Sequence, residues 1–202
     1  MRKRKSTAPR GRPRSFDLDK ALDRALQVFW QKGYEGTSLS DLTKATGVNR
    51  PSLYAAFGNK EALFRKALDR YTDGPAAYVC EALKELTARA VTERLLHGAL
   101  DLLTDPNTPS GCLMVQGALS CGEAADPIRK ELAVRRAAGE VAICERFKRA
   151  KLDGDLPADA DCADLARYVA TVIHGMAVQA AGDASRRKLQ RVIQIAMRAW
   201  PK

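Results

Sequence analysis

The sequence predicts an all-α protein. Apolar residues recur at three- and four-residue spacing over long stretches, 46% of the chain is hydrophobic, and only 6% is aromatic. The 202 residues are enough for one sizeable core or two small ones. Breaks carrying Pro and Gly separate the periodic stretches, and no internal repeat is evident. These signals divide the chain into a basic, disordered arm (1–15), a three-helix helix-turn-helix head (16–65) and a helical body (66–202).

Charge is unevenly placed. The net formal charge is +10, and seven basic residues with no acid lie within the first 16 positions, whereas residues 71–202 hold 18 basic and 17 acidic side chains. A basic tail beside such a head implies a polyanionic partner. Within the tail, Arg10-Gly11-Arg12-Pro13 resembles an AT-hook core, which lays arginines in a narrow minor groove; a solvated tail that raises non-specific affinity is the plainer reading. No apolar segment follows these charges, and no run of about 18 apolar residues suggests a membrane span. The five cysteines form neither a CxxC pair nor a short secreted scaffold, so free thiols in a reducing cytoplasm are expected.

The first helix is expected over Leu18–Lys32, where Ala21, Leu22, Ala25, Leu26 and Phe29 share a face and Gly33 supplies the stop. Ser38 caps the next helix with Asp41 as its partner, and Leu39, Leu42 and Ala45 form its apolar stripe. Gly47 permits a sharp turn. Asn49 then caps a helix with Pro51 in its first turn, where the missing N–H costs nothing. Val48, Leu53 and Phe57 can pack inward while Asn49, Arg50, Ser52, Tyr54, Ala55 and Ala56 face outward. Two helices joined this way form a helix-turn-helix, whose second helix enters the DNA major groove, although spacing alone fits an ordinary αα-hairpin equally well.

The flanks favour the DNA reader. Residues 33–64, GYEGTSLSDLTKATGVNRPSLYAAFGNKEALF, closely resemble the DNA-binding segment of the TetR family of bacterial transcription regulators, with Phe29 just before them and Gly33, Tyr34, Thr37, Ala45, Gly47, Val48, Leu53, Tyr54, Phe57, Lys60, Glu61 and Leu63 within them matching. Beyond residues 15–65 the likeness rests on length and helical layout. The resemblance implies phosphate contacts from Thr37, Tyr54 and Lys60, and a body that binds a ligand and dimerises through its last two helices. Exposure adds base-edge readout from Arg50, Asn49 and Ser52. Lys60 opposes the dipole at the start of the fourth helix, which suits a phosphate contact better than a structural role.

That fourth helix should break at Gly74-Pro75 and resume through Tyr78, Leu83 and Leu86. Further helices are expected near 90–104, 112–122, 127–152, 160–181 and 184–200, with Asp126 capping one that has Pro127 in its first position. Ala163, Ala166, Ala170, Ile173 and Ala177 form a small-residue stripe, matched by Leu189, Val192, Ile193, Ala196 and Trp200 on the last helix. These stripes suit a homodimer interface or a monomer core.

No catalytic motif, cofactor fingerprint or metal-ligand cluster is present, so an enzyme is a poor fit and no cofactor is expected. The candidate ligand-binding residues are His97, Cys112, Gln116 and His174. Cys112 is expected in the first turn of the 112–122 helix, where the dipole favours thiolate, and the GCL run is similar to an electrophile-sensing branch of the family. The resulting expectation is a cytoplasmic one-component regulator, a repressor released from operator DNA by a small-molecule inducer. A thiol sensor acting through Cys112 is the alternative, and a sequence-neutral nucleoid protein a remote one.

Overall fold

The computed structural model describes residues 16–118 and 122–201. The arm, with Arg10 and Arg12, lies outside the described residues, as do Leu119 and Cys121. Ten α-helices and no strand occur among the described residues. No helix among them is long and apolar enough to cross a membrane.

Helix α1 (Leu18–Gly36) opens with the Asp17 carboxylate accepting the amides of Asp19 and Lys20, and it is interrupted at Gly33, where φ is +70° and ψ is 178°. The expected stop is therefore present, and one further turn follows it before the chain extends at Thr37. Helix α2 (Leu39–Thr46) carries the full capping box: Ser38 Oγ accepts the Asp41 amide at 3.0 Å, and Asp41 Oδ2 accepts the Ser38 amide at 2.9 Å. Gly47 then turns in the left-handed region (φ +72°), and Asn49 Oδ1 accepts the Ser52 amide to start α3 (Arg50–Phe57).

Helix α4 (Lys60–Asp73) runs from the Asn59 cap to the break at Gly74. Its Leu63, Phe64, Ala67, Leu68 and Tyr71 join Phe29, Trp30, Leu42, Leu53 and Phe57 in one cluster, with Phe29 edge-on to Phe64 at 4.9 Å. Leu113, Ile128 and Leu132 of the body belong to that same cluster. Burial is thus continuous from head to body. Since each fully buried aliphatic or aromatic side chain contributes about 1.5–3 kcal/mol, the two parts are held by packing rather than by a linker.

In the body, α5 (Tyr78–Ala82) is one turn and α6 (Ala88–Leu103) follows it. The expectation that helical pattern runs on to Leu86 fails: Leu86 is 91% exposed, and its carbonyl and that of Glu85 instead accept from the buried Arg146 guanidinium at 2.9 and 2.6 Å. The helix expected over 112–122 shrinks to α7 (Leu113–Gln116). Helix α8 (Asp126–Leu152) does not use Asp126 as its cap. A 3-10 turn at Glu123–Ala125 already feeds it, so Asp126 is itself helical, and its carboxylate pairs with Arg129 and with Lys130 at 2.7 Å.

Helices α9 (Cys162–Ala181) and α10 (Arg186–Arg198) close the body. Their small-residue stripes prove to be mostly monomer core. Ala166, Ala170, Ala177, Leu189, Ile193, Ala196 and Trp200 are buried within the chain, while Ala163 is exposed and Val192 is 40% exposed. The outward face has other residues: Tyr168 and Val178 on α9, beside Val192 and Ile195 on α10.

Candidate nucleic-acid interface and adjoining cavity

Helix α3 presents its outer side because the inner one is fully committed. Leu53 and Phe57 are buried with Val48, leaving Asn49, Arg50 and Ala55 exposed and Ser52 and Tyr54 half-buried. Asn49 spends its carbonyl oxygen on the Ser52 amide, which leaves its NH2 group free to donate. The Arg50 guanidinium lies 5.4 Å from the Tyr54 ring centroid, so one aromatic surface supports the charge at the helix start.

Lys60, at the first position of α4, sits 4.5 Å over the Tyr34 ring, and burial lowers its pKa while Glu35 opposes that shift. Tyr34 matched the family pattern but had been given no role; packing under this ammonium supplies one. Thr37 requires correction as a phosphate contact. Its side chain is fully buried and its hydroxyl donates to the Gly33 carbonyl at 2.6 Å, so it closes the end of α1 instead.

Behind the head, helices α4 to α9 enclose a cavity of about 400 Å³, within the range of small-molecule sites. Its walls are mainly apolar, including Val79, Leu83, Leu95, Met114, Ile143 and Ile173. Of the four sequence candidates, Cys112 and His174 line it. His97 does not: it is exposed on α6 in a separate open groove with Pro75 and Asp101. Gln116 does not either, because its side chain folds back to accept the Cys112 amide at 3.1 Å.

The dipole argument for Cys112 also fails. Four residues align too few peptide units to build a helix terminus of that kind, and the Cys112 amide is already taken. The Tyr71 hydroxyl lies 3.3 Å from Cys112 Sγ. Burial drives the Tyr71 pKa well above its ordinary value and raises that of Tyr78, with the nearby Cys112 adding to both. Burial also lowers the His174 pKa, and the Arg136 charge lowers it further.

The wall between cavity and head is the segment 111–117. The Trp30 indole N–H donates to the Gly111 carbonyl at 2.9 Å, and the Tyr34 amide donates to the Gly117 carbonyl at 2.8 Å. Trp30 stacks edge-on against Tyr71 at 4.8 Å, bringing α1 onto a cavity-lining residue. On the far side, Arg136 of α8 donates to the Met114 carbonyl at 2.6 Å. An ion network ties α4 to α8 alongside: Arg65 to Glu131 at 2.5 Å, and Arg135 to Asp69 at 2.7 Å and Glu131 at 2.9 Å. Direct contacts thus run from the cavity wall to α1 and α4.

Comparison with known proteins agrees at both ends of the chain. A family model described as bacterial regulatory proteins, tetR family, matches residues 21–67, and one described as tetracyclin repressor-like, C-terminal domain, matches residues 88–196. The chain belongs to the TetR family. It is similar to the HTH-type transcriptional repressor ComR of Escherichia coli K12, 37% identical over 95% of this chain and 92% of ComR. It is also similar to the HTH-type transcriptional repressor BdcR of the same strain, 32% identical over 88% of this chain and 85% of BdcR. Among solved structures, a cysteine-substituted TetR family regulator, CifR, complexed with 26 bp operator DNA, superposes with a TM-score of 0.91. That match is 43% identical and covers 95% of this chain and all of the CifR chain.

Proposed function

We propose that this chain is a homodimeric repressor that binds operator DNA through α3 and is released when a small molecule fills the cavity behind the head. The observation that carries the reading is the pair of hydrogen bonds from α1 to segment 111–117, whose other side faces the cavity. Residues 16–65 act as the reader, 66–202 as the ligand-binding and dimerisation body, and 1–15 as an arm reaching neighbouring phosphates. The operator complex of CifR and the repressor names of ComR and BdcR support the first step. Exposed Tyr168, Val178, Val192 and Ile195 on α9 and α10 give a second copy an apolar face to cover. One short recognition helix reads too few base pairs to be selective, so a pair of them is needed. The site of action is the bacterial cytoplasm, on nucleoid DNA.

Release follows from differential affinity. A ligand that favours a body conformation with wrongly placed heads weakens operator binding by the same coupling energy. Within the reader, Arg50 faces base edges and Lys60 faces phosphate. Arg50→Ala is therefore expected to cost about 1–3 kcal/mol on operator DNA and to relax selectivity, whereas Lys60→Ala should weaken all duplexes alike and lower the salt slope by about 1. Titrating both variants against operator and scrambled duplexes at several salt concentrations checks this. Equal losses for Arg50→Ala on the two DNAs would remove it from base readout.

A further inference from the structure

We propose that the cavity takes a small apolar carboxylic acid, with Arg136 serving as its counter-ion and as the latch that the acid opens. The proposal rests on the cavity being the effector site and names what that site recognises.

The charges around the cavity single out Arg136. Three charged side chains line the wall, Arg135, Arg136 and Glu140, beside the titratable His174. Arg135 is neutralised by Asp69 and Glu131. Glu140 is paired with Arg167 at 3.1 Å. Arg136 has no carboxylate within 4 Å among the described residues, and its one hydrogen bond there is to the neutral Met114 carbonyl. An apolar chamber with one uncompensated guanidinium favours a ligand that is apolar over most of its length and carries one negative charge. Neither the Tyr78 hydroxyl nor the His174 imidazole makes a hydrogen bond among the described residues, so both remain to complete a carboxylate's contacts.

Recognition and release then share one group. A carboxylate binds guanidinium through shorter, stronger, often bidentate bonds than a backbone carbonyl does. An acid in the cavity thus draws Arg136 from Met114 and loosens the middle of segment 111–117. That segment holds α1 at Gly111 and Gly117, so the strain passes to the reader.

The test uses the full chain and three probes of matched length: octanoate, 1-octanol and octylamine, titrated calorimetrically. Octanoate should bind about ten-fold tighter than 1-octanol, the scale of one charge-assisted pair, and octylamine should bind weakest. Arg136→Gln should erase the preference for octanoate over 1-octanol. Hydrogen exchange supplies the latch readout: octanoate, but not 1-octanol, should strip protection from the Tyr34 amide. The wild-type ranking needs no variant to fold. If 1-octanol or octylamine binds as tightly as octanoate, the acid class is wrong while the cavity remains an effector site. Binding of none of the three would overturn the cavity reading itself. Preserved Tyr34 protection in the octanoate complex would remove the latch.

Discussion

Trp30→Ala is expected to lower stability by about 3–5 kcal/mol, near the top of the range for core truncations. The indole is buried where head meets body, edge-on to Tyr71 at 4.8 Å, and its N–H is bound to the Gly111 carbonyl at 2.9 Å. Deletion leaves a void, and it also leaves a carbonyl in the joint without its donor. Trp30→Phe separates the two contributions: packing is largely kept, and the loss should fall to the roughly 1–3 kcal/mol of an unpaired buried polar group. Urea unfolding of the three proteins measures this directly. An alanine variant within about 1 kcal/mol of the parent would mean that the joint relaxes around the missing ring.

Gly33→Ala acts through the backbone. With φ at +70° and ψ at 178°, Gly33 occupies a region that other residues essentially avoid, at a cost of about 1–3 kcal/mol. An added Cβ would lie 3.3 Å from the Gly117 carbonyl oxygen, a backbone atom that cannot swing aside. The same oxygen accepts the Tyr34 amide, so the methyl group pushes on the bond that couples head to cavity wall. The urea midpoint should fall without a change in slope, because surface exposed on unfolding is unaltered. An unchanged midpoint would show that α1 can end without the left-handed turn.

The head was the most legible part of the chain because its signals are local. Ser38 with Asp41, Gly47, and Asn49 with Pro51 each specify a cap or a turn within four residues, and all three features stand in the structure. The long α6, α8, α9 and α10 were legible for the same reason, their punctuation lying at their ends. What failed was decided at a distance. Helix α7 ends at Gln116, where Arg136, 22 residues on, binds the Met114 carbonyl and the Tyr34 amide binds that of Gly117. Thr37 is the local exception: its hydroxyl donates to the Gly33 carbonyl four residues back and is buried there.

Helix α9 shows a different ambiguity. Both of its faces carry small or apolar residues, so periodicity could not say which one the chain buries. The cavity was half visible. Cys112 was singled out by its expected helix start and the GCL likeness, and His174 as one of only two histidines, whereas Tyr78 and Arg136 were missed. Each of Arg135 and Arg136 has a Glu four residues away on α8; the difference is that Asp69, 66 residues back, joins Glu131 on Arg135, whereas Glu140 pairs with Arg167.

Sequence-selective DNA binding is tested most directly by selecting from a pool of random duplexes with the full chain. The account predicts enrichment of an inverted repeat, with half-sites spaced by about one helical turn or a multiple of it, as two symmetry-related α3 helices require. Recovery of DNA with no common sequence, bound no more tightly than the starting pool, would contradict it and leave only a basic, sequence-neutral binder.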